Sequence, residues 1–251
     1  IAYYPHPKSC IYKLNSRFSL FDTSIDSRYD ATFKSEFYAT VADPSIGLEV
    51  GDLRVYFPKY DQTFTDADKA ELLAEHPNAI VVTKDRWMQD IENVGGSGMC
   101  PMVWKFYDPN ATWPSNNTSY TSTKDIFLFR LADTYLMAAE AYFQAGEPEL
   151  AAERLTTVRQ RAAIPGHEAE MVVASSDVDI DFILDERARE LVGEYKRWMD
   201  LKRTGKLIER TLAHNNLAAR ENKMDEHILV RPIPQSVIDQ TEGEISQNDK
   251  Y

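Results

Sequence analysis

The sequence predicts a mainly α-helical protein in which helical hairpins adjoin an irregular, loop-rich region. Three observations predict it. Apolar residues recur at helical spacing from residue 124 onward. Glycine and proline stop and start signals fall between those runs. The first 120 residues instead hold 19 of the 28 aromatic residues and eight of the 12 prolines. The expected division is residues 1–123, irregular with short helices and strands, and residues 124–251, helical.

In the first region one helix stands out. Thr65 followed by Asp68 is a capping-box pattern that opens a helix over residues 69–75, and Pro77 lies just past its end. Residues 102–107, MVWKFY, read as an extended piece. Residues 95–98, GGSG, and 108–110, DPN, punctuate the remainder.

In the second region Phe127, Leu131, Tyr135, Ala138 and Tyr142 recur at helical spacing, opposite Arg130, Asp133, Met137, Glu140 and Gln144. Gly146 supplies a stop and Pro148 a new start. Ala151, Leu155, Val158 and Ala162 continue at helical spacing to the breaker Pro165–Gly166. An antiparallel helix pair over 124–163, turning at 146–148, follows. Ala138, Ala139, Ala141 and Ala145 let the second helix approach closely. This pair resembles a single tetratricopeptide repeat, and such repeats normally need at least three copies for a stable stack. A third helix has Ile180, Ile183, Leu184, Ala188, Leu191 and Val192 as its apolar face. Asp177, Asp179 and Asp181 stand at its N-terminus, where the helix dipole favours acids. Gly193 interrupts, and Tyr195, Trp198 and Leu201 open a fourth helix that ends at Gly205. Residues 227–234, HILVRPIP, read as extended, because each proline moves its predecessor out of the α region.

The composition excludes several classes of function. The chain has 251 residues, 43% hydrophobic and 27% charged, enough for a substantial core. No apolar run approaches the ~18 residues of a membrane-spanning helix. Forty acids against 28 bases give a net charge of −12 with no basic stripe, which disfavours nucleic acid. Cys10 and Cys100 fit neither a zinc spacing nor a CxxC. They are two buried thiols, or one disulfide made in an oxidising compartment. The first residue is Ile1, with no initiator Met and no apolar leader, which suggests a mature or truncated chain.

No catalytic or metal-binding constellation emerges, and no cofactor is expected. Asp177, Asp179 and Asp181 resemble the start of a calcium loop. Phe182 then stands where glycine is required and Ala188 where a bidentate Glu is required. The five histidines are scattered and form no HExxH. The GGSG run is neither a nucleophile elbow nor a phosphate loop. Asn110, Asn116 and Asn117 match the N-glycosylation pattern but fit a polar surface loop equally.

Several ordered motifs carry a family resemblance. Residues 130–141, RLADTYLMAAEA, and 152–162, AERLTTVRQRA, are similar to consecutive helices of the SusD/RagB family. So are 183–191, ILDERAREL, and 193–205, GEYKRWMDLKRTG. The closing PIP of 232–234 and the QNDKY of 247–251 resemble the family's C-terminal elements. Asp249 and Lys250 depart from its Pro and Gly. Asp26-Ser-Arg28 matches a D-x-R ahead of the repeat. The resemblance implies the C-terminal half of a glycan- or nutrient-binding lipoprotein on the outer membrane of a Gram-negative bacterium. It implies delivery to a SusC-like TonB-dependent outer-membrane transporter. Membrane attachment would come only through an N-terminal lipid anchor absent from this chain.

By the same resemblance, Glu140, Arg159, Glu186, Arg187, Arg197, Trp198 and Asp200 form a helix-packing network, with Trp198 in the core. The ligand would instead meet aromatics from irregular loops. A pyranose lays its C–H face on such rings while polar side chains bind its hydroxyls. The candidates are Tyr3, Tyr4, Trp113 and Tyr120, with Asn116 and Asn117 as polar partners. Beside non-enzymatic glycan binding stand a protein-interaction scaffold, a binder of peptide rather than sugar, and a glycosidase. The last would need a carboxylate pair that the sequence does not single out.

Overall fold

The computed structural model describes residues 18–86, 101–109, 122–215, 218 and 224–251. The architecture is mainly α-helical, with short strands in the first region. Contacts divide the chain into Ile1–Arg197 and Trp198–Tyr251.

The first unit opens with helix α1 (Arg28–Thr32) and strands β1 (Phe33–Lys34), β2 (Glu36–Tyr38) and β3 (Leu53–Tyr56). Helix α2 (Asp66–Glu75) follows, then β4 (Ile80–Val81) and β5 (Met102–Val103). Strand β1 pairs antiparallel with β5, Phe33 opposite Val103. Strand β3 pairs antiparallel with β2 and parallel with β4. The inward positions Phe33, Phe37 and Val55 join Phe18, Phe21, Tyr29 and Phe57 in an aromatic core. The rings of Phe18 and Phe33 lie 4.4 Å apart, and Phe21 meets Tyr29 edge-on at 5.9 Å. Such pairs add ~0.5–1.5 kcal/mol each beyond the area they bury. The capping box at α2 forms as the spacing predicts. Thr65 accepts from the Asp68 amide, and the Asp68 carboxylate accepts from the Thr65 amide. The expected extended run over 102–107 is confined to β5. A turn follows, closed by the Tyr107 amide on the Trp104 carbonyl, with the two rings stacked at 3.6 Å.

Helices α3 (Leu131–Gln144) and α4 (Pro148–Arg161) form the predicted hairpin. Its turn is legible atom by atom. The Gly146 amide donates to Phe143 and the Glu147 amide to Tyr142, with Gly146 at φ +80°. This is a Schellman stop, and Pro148 then opens α4. Ala151, Leu155, Val158 and Ala162 are all buried. Ala151, Leu155 and Val158 pack with Leu136, Ala139 and Ile183 in a second core.

Two expectations fail here. Residues 124–130 are not helical. Arg130, the residue before α3, has an extended backbone. Its neighbours are held by carbonyl contacts that a helix would not offer, since Lys196 Nζ donates to the Leu128 carbonyl. The buried stripe of α3 is also shifted. It runs through Asp133, Leu136 and Ala139, while Leu131 and Met137 are exposed. Asp133 looked like solvent-side polarity, but the guanidinium of buried Arg187 lies 3.0 Å from its carboxylate. Ala141 and Ala145 lie outside the seam.

Helix α5 (Ile180–Glu190) starts where the acids predict, with Asp179 accepting from the Phe182 amide. Gly193 then breaks the chain at φ +77°, and a Cβ there would fall 2.4 Å from the Phe106 ring. Only glycine fits both constraints. Helix α6 (Arg197–Arg203) starts later than expected, so Tyr195 lies outside it.

The second unit holds the rest of α6, then α7 (Leu207–His214) and α8 (Gln235–Gln240). Trp198 is 38% exposed, which corrects its assignment to the core. Arg231 lies 5.8 Å from its ring centroid. The expected extended run from His227 begins as a 3-10 turn over Glu226–Leu229, because Asp225 caps the His227 amide. The two C-terminal motifs clamp each other. Gln247 accepts from the Ile233 amide and donates to its carbonyl, both at 2.8 Å.

Candidate functional site

All six ligand-binding candidates, Tyr3, Tyr4, Trp113, Asn116, Asn117 and Tyr120, lie outside the described residues, as do Cys10 and Cys100. The described residues on either side of 110–121 are well fixed. Asp108 is buried, and its carboxylate accepts from the Ser122 hydroxyl and from the amide and hydroxyl of Thr123. Asp108 thus ties the described residues on the two sides together.

The same unit of the chain, Ile1–Arg197, holds a buried network of charges. Arg28 Nη1 donates to Glu186 at 2.7 Å and to Glu190 at 2.9 Å, while its Nε and Nη2 hold Asp26. Arg159 and Arg189 reach the other oxygen of Glu186, at 3.1 and 2.8 Å. Arg161 and Arg130 join Glu190, and Arg130 and Lys105 join Glu194. The backbone seats the hub as well, since the Ser27 amide donates to Ala162 and the Ile164 amide to Ile25.

Glu186 has no exposed surface. Burial alone would push its carboxyl up, but Arg189, Arg28 and Arg159 outweigh burial and hold it down at about 2. Glu190 is held below the usual range in the same way, burial opposing and Arg130 and Arg28 prevailing. Lys105 goes the other way. Burial lowers its pKa more than Glu194 restores it. Carboxylates held ionised by paired guanidinium groups are poor proton donors near neutral pH. This chemistry suits a scaffold better than an acid–base site.

The expected packing network is thus present in part. Glu186, Arg159 and Arg187 are in it, and Arg197 donates to the Leu184 carbonyl. Asp200 pairs with Arg203 and Trp198 stands near Arg231. Sequence reasoning missed Glu190, Glu194, Arg130, Lys105 and Arg161. The four-residue spacing of Glu186 and Glu190 was the available signal, since it puts two acids on one face of α5.

Where the network meets the surface, a cleft of about 310 Å³ opens. Phe106, Gly193 and paired Glu194 line one part of it. Asp125, Phe127 and Tyr195 also line it, and so do Ser122 and Lys124. The chain between them is pinned, with Lys124 Nζ donating to the Lys105 and Tyr107 carbonyls. Tyr195 is 89% exposed and has φ +60°. Among the described residues no hydrogen-bond partner is found for Asp125 or for the Tyr195 hydroxyl. Also among the described residues, no group of His, Cys, Asp and Glu could hold a metal ion. No helix there is long and apolar enough to cross a membrane.

A sequence model described as the SusD family matches residues 11–251. Two proteins of Formosa agariphila, SusD-like protein P38 and SusD-like protein P25, are 41% identical over 90 residues and 36% identical over 94. The aligned stretches are 34% and 38% of this chain and 18% of each relative.

Proposed function

The chain belongs to the SusD family, and on that premise we propose that it binds glycan at the cell surface without catalysis. It then passes the ligand to a SusC-like TonB-dependent transporter in the outer membrane. The protein carrying it is a lipid-anchored outer-membrane component of a nutrient-uptake system. In this reading residues 1–123 hold most of the ligand-binding surface, with Trp113, Tyr120 and the flanking Asn116 and Asn117 as sugar contacts. Residues 124–251 form the supporting helical region. Tyr3 and Tyr4 are further sugar contacts.

The family match over residues 11–251 carries this reading. The charge network agrees with it, since its carboxylates are locked in ion pairs rather than free for hydrolysis. Affinity electrophoresis of the intact protein in gels containing polysaccharides tests it. At least one polysaccharide should retard the protein without release of reducing ends. Retardation by none, or reducing ends lost on mutation of one carboxylate pair, would overturn it.

One observation favours a second reading, in which the ligand is a protein or peptide. Ile126, Leu128, Phe129 and Leu131 form an exposed apolar run beside the hairpin, and such patches often mark protein contacts. A peptide that binds the intact protein when no polysaccharide does would favour it.

A further inference from the structure

We propose that the cleft between Tyr195 and Phe127 is a subsite for an uncharged sugar ring. The proposal rests on the glycan-binding reading above and adds a place and a ligand charge to it.

Tyr195 is the starting observation. A bulky side chain at φ +60° is a genuine outlier, because its Cβ crowds the backbone carbonyl. Glycine, which has no Cβ, would relieve the crowding. The neighbours leave the backbone little freedom. Glu194 is buried and tied to Arg130 and Lys105. Lys196 is tied to the Leu128 carbonyl and lies 3.4 Å from Asp133. Gly193 just before it is locked by Phe106. The strain is thus held by contacts on both sides, yet the ring it presents is almost wholly exposed. A strained residue whose ring gains nothing from its own fold points to a contact outside it.

The opposite wall has the same character. Residues 122–130 are held through Ser122, Thr123, Lys124, Leu128 and Arg130. Asp125 and Phe127 remain on the cleft. The cleft therefore offers aromatic surface from Tyr195 and Phe127 and, among the described residues, a phenol and a carboxylate with no hydrogen-bond partner. Aromatic faces take the C–H face of a pyranose, and a carboxylate and a phenol take its hydroxyls. About 310 Å³ is at the lower end of small-ligand clefts, enough for a ring or two of a chain.

Charge selects the class of sugar. Asp125 on the cleft is a carboxylate, which accepts hydrogen bonds and repels anions. The Lys124 ammonium is turned to two backbone carbonyls, and Glu194 already holds Arg130 and Lys105. The chain as a whole carries −12. Among the described lining residues the unpaired charges are one carboxylate, Asp125, and one ammonium, Lys124, held by carbonyls, so a uronic or sulfated sugar would meet no net positive charge. A neutral hexose or pentose chain needs none.

The test uses the intact protein in affinity gels of neutral probes (starch, galactomannan and xyloglucan) and anionic probes (polygalacturonate and alginate). Wild type is compared with Tyr195→Ala and Asp125→Ala, both at exposed positions, after melting curves confirm that both fold. The expected result is retardation by a neutral probe, weakened about tenfold in each variant, the loss of one stacking or hydroxyl contact. Retardation by neutral probes that persists in both variants overturns the subsite and leaves the glycan-binding reading standing. Retardation by anionic probes alone overturns the charge assignment. Retardation by none removes the glycan-binding reading, and the subsite with it.

Discussion

Two neighbouring regions at the end of α5 treat charged and polar groups in opposite ways. Glu186, Glu190 and Glu194 are buried and fully paired. Asp125 and Tyr195, on the cleft that Glu194 also lines, have no hydrogen-bond partner among the described residues, and Tyr195 is strained as well. The first arrangement fixes a structure, because every charge has a partner. The second leaves groups whose partners must come from elsewhere. The family motifs supply most of the first region, and one of them, residues 193–205, also carries Tyr195 of the second. The part of the molecule easiest to recognise in the sequence is therefore its scaffold, while the groups left free for a ligand sit beside it.

The largest expected effect is on the scaffold. Glu186→Gln should leave three guanidinium groups around a neutral amide and cost about 3–5 kcal/mol, as breaking buried ion pairs usually does. Urea denaturation measures this. A cost below 1 kcal/mol would mean the network is not cooperative.

Acid should dismantle the same region. The Glu186 carboxyl lies at about 2 in the folded protein against 4.5 for an unperturbed glutamate. The stability it contributes is complete above pH 4.5 and is lost as pH falls through 2. That loss is worth about 3 kcal/mol. Denaturation midpoints measured at pH 5, 3.5 and 2.5 should fall in that order, and Glu186→Gln should flatten the fall.

Gly193→Ala tests the joint between the two regions. The added Cβ meets Phe106 at 2.4 Å and strains a φ of +77°. We expect a cost of about 2–3 kcal/mol, read as a lowered thermal midpoint. Trp198→Ala should cost only about 1 kcal/mol, because the ring is 38% exposed. A fully buried tryptophan would cost about 3–5 kcal/mol. A loss in that range would return Trp198 to the core.

The sequence made the hairpin legible because glycine and proline punctuate it with local chemistry alone. Gly146 and Pro148 act within one turn, and no distant residue is needed to interpret them. The phase of α3 was not legible. Asp133 reads as polar until Arg187, 54 positions on, is known to meet it. Residues 126–129 are a continuous apolar run, and such a run does not distinguish extended chain from helix. The cleft was illegible for the same reason. Its walls come from around residues 106, 122–127 and 193–195, joined by folding rather than by spacing. Tyr195 read as the opening of a helix, because its distance to Trp198 fits helical periodicity and φ cannot be read from sequence. The aromatic candidates around Trp113 and Tyr120 were selected by local composition, and they lie outside the described residues.

The most direct test of this division of labour is Tyr195→Gly, with its melting temperature and its retardation by neutral polysaccharide measured side by side. Glycine accepts φ +60° without crowding, so the variant should be about 0.5–1 kcal/mol more stable than wild type after its own chain-entropy cost. Its retardation should weaken about tenfold as the stacking ring is lost. Stability up and binding down is the result expected if the scaffold holds Tyr195 in strain for a ligand. A variant that melts lower, or that keeps wild-type retardation, would contradict the account.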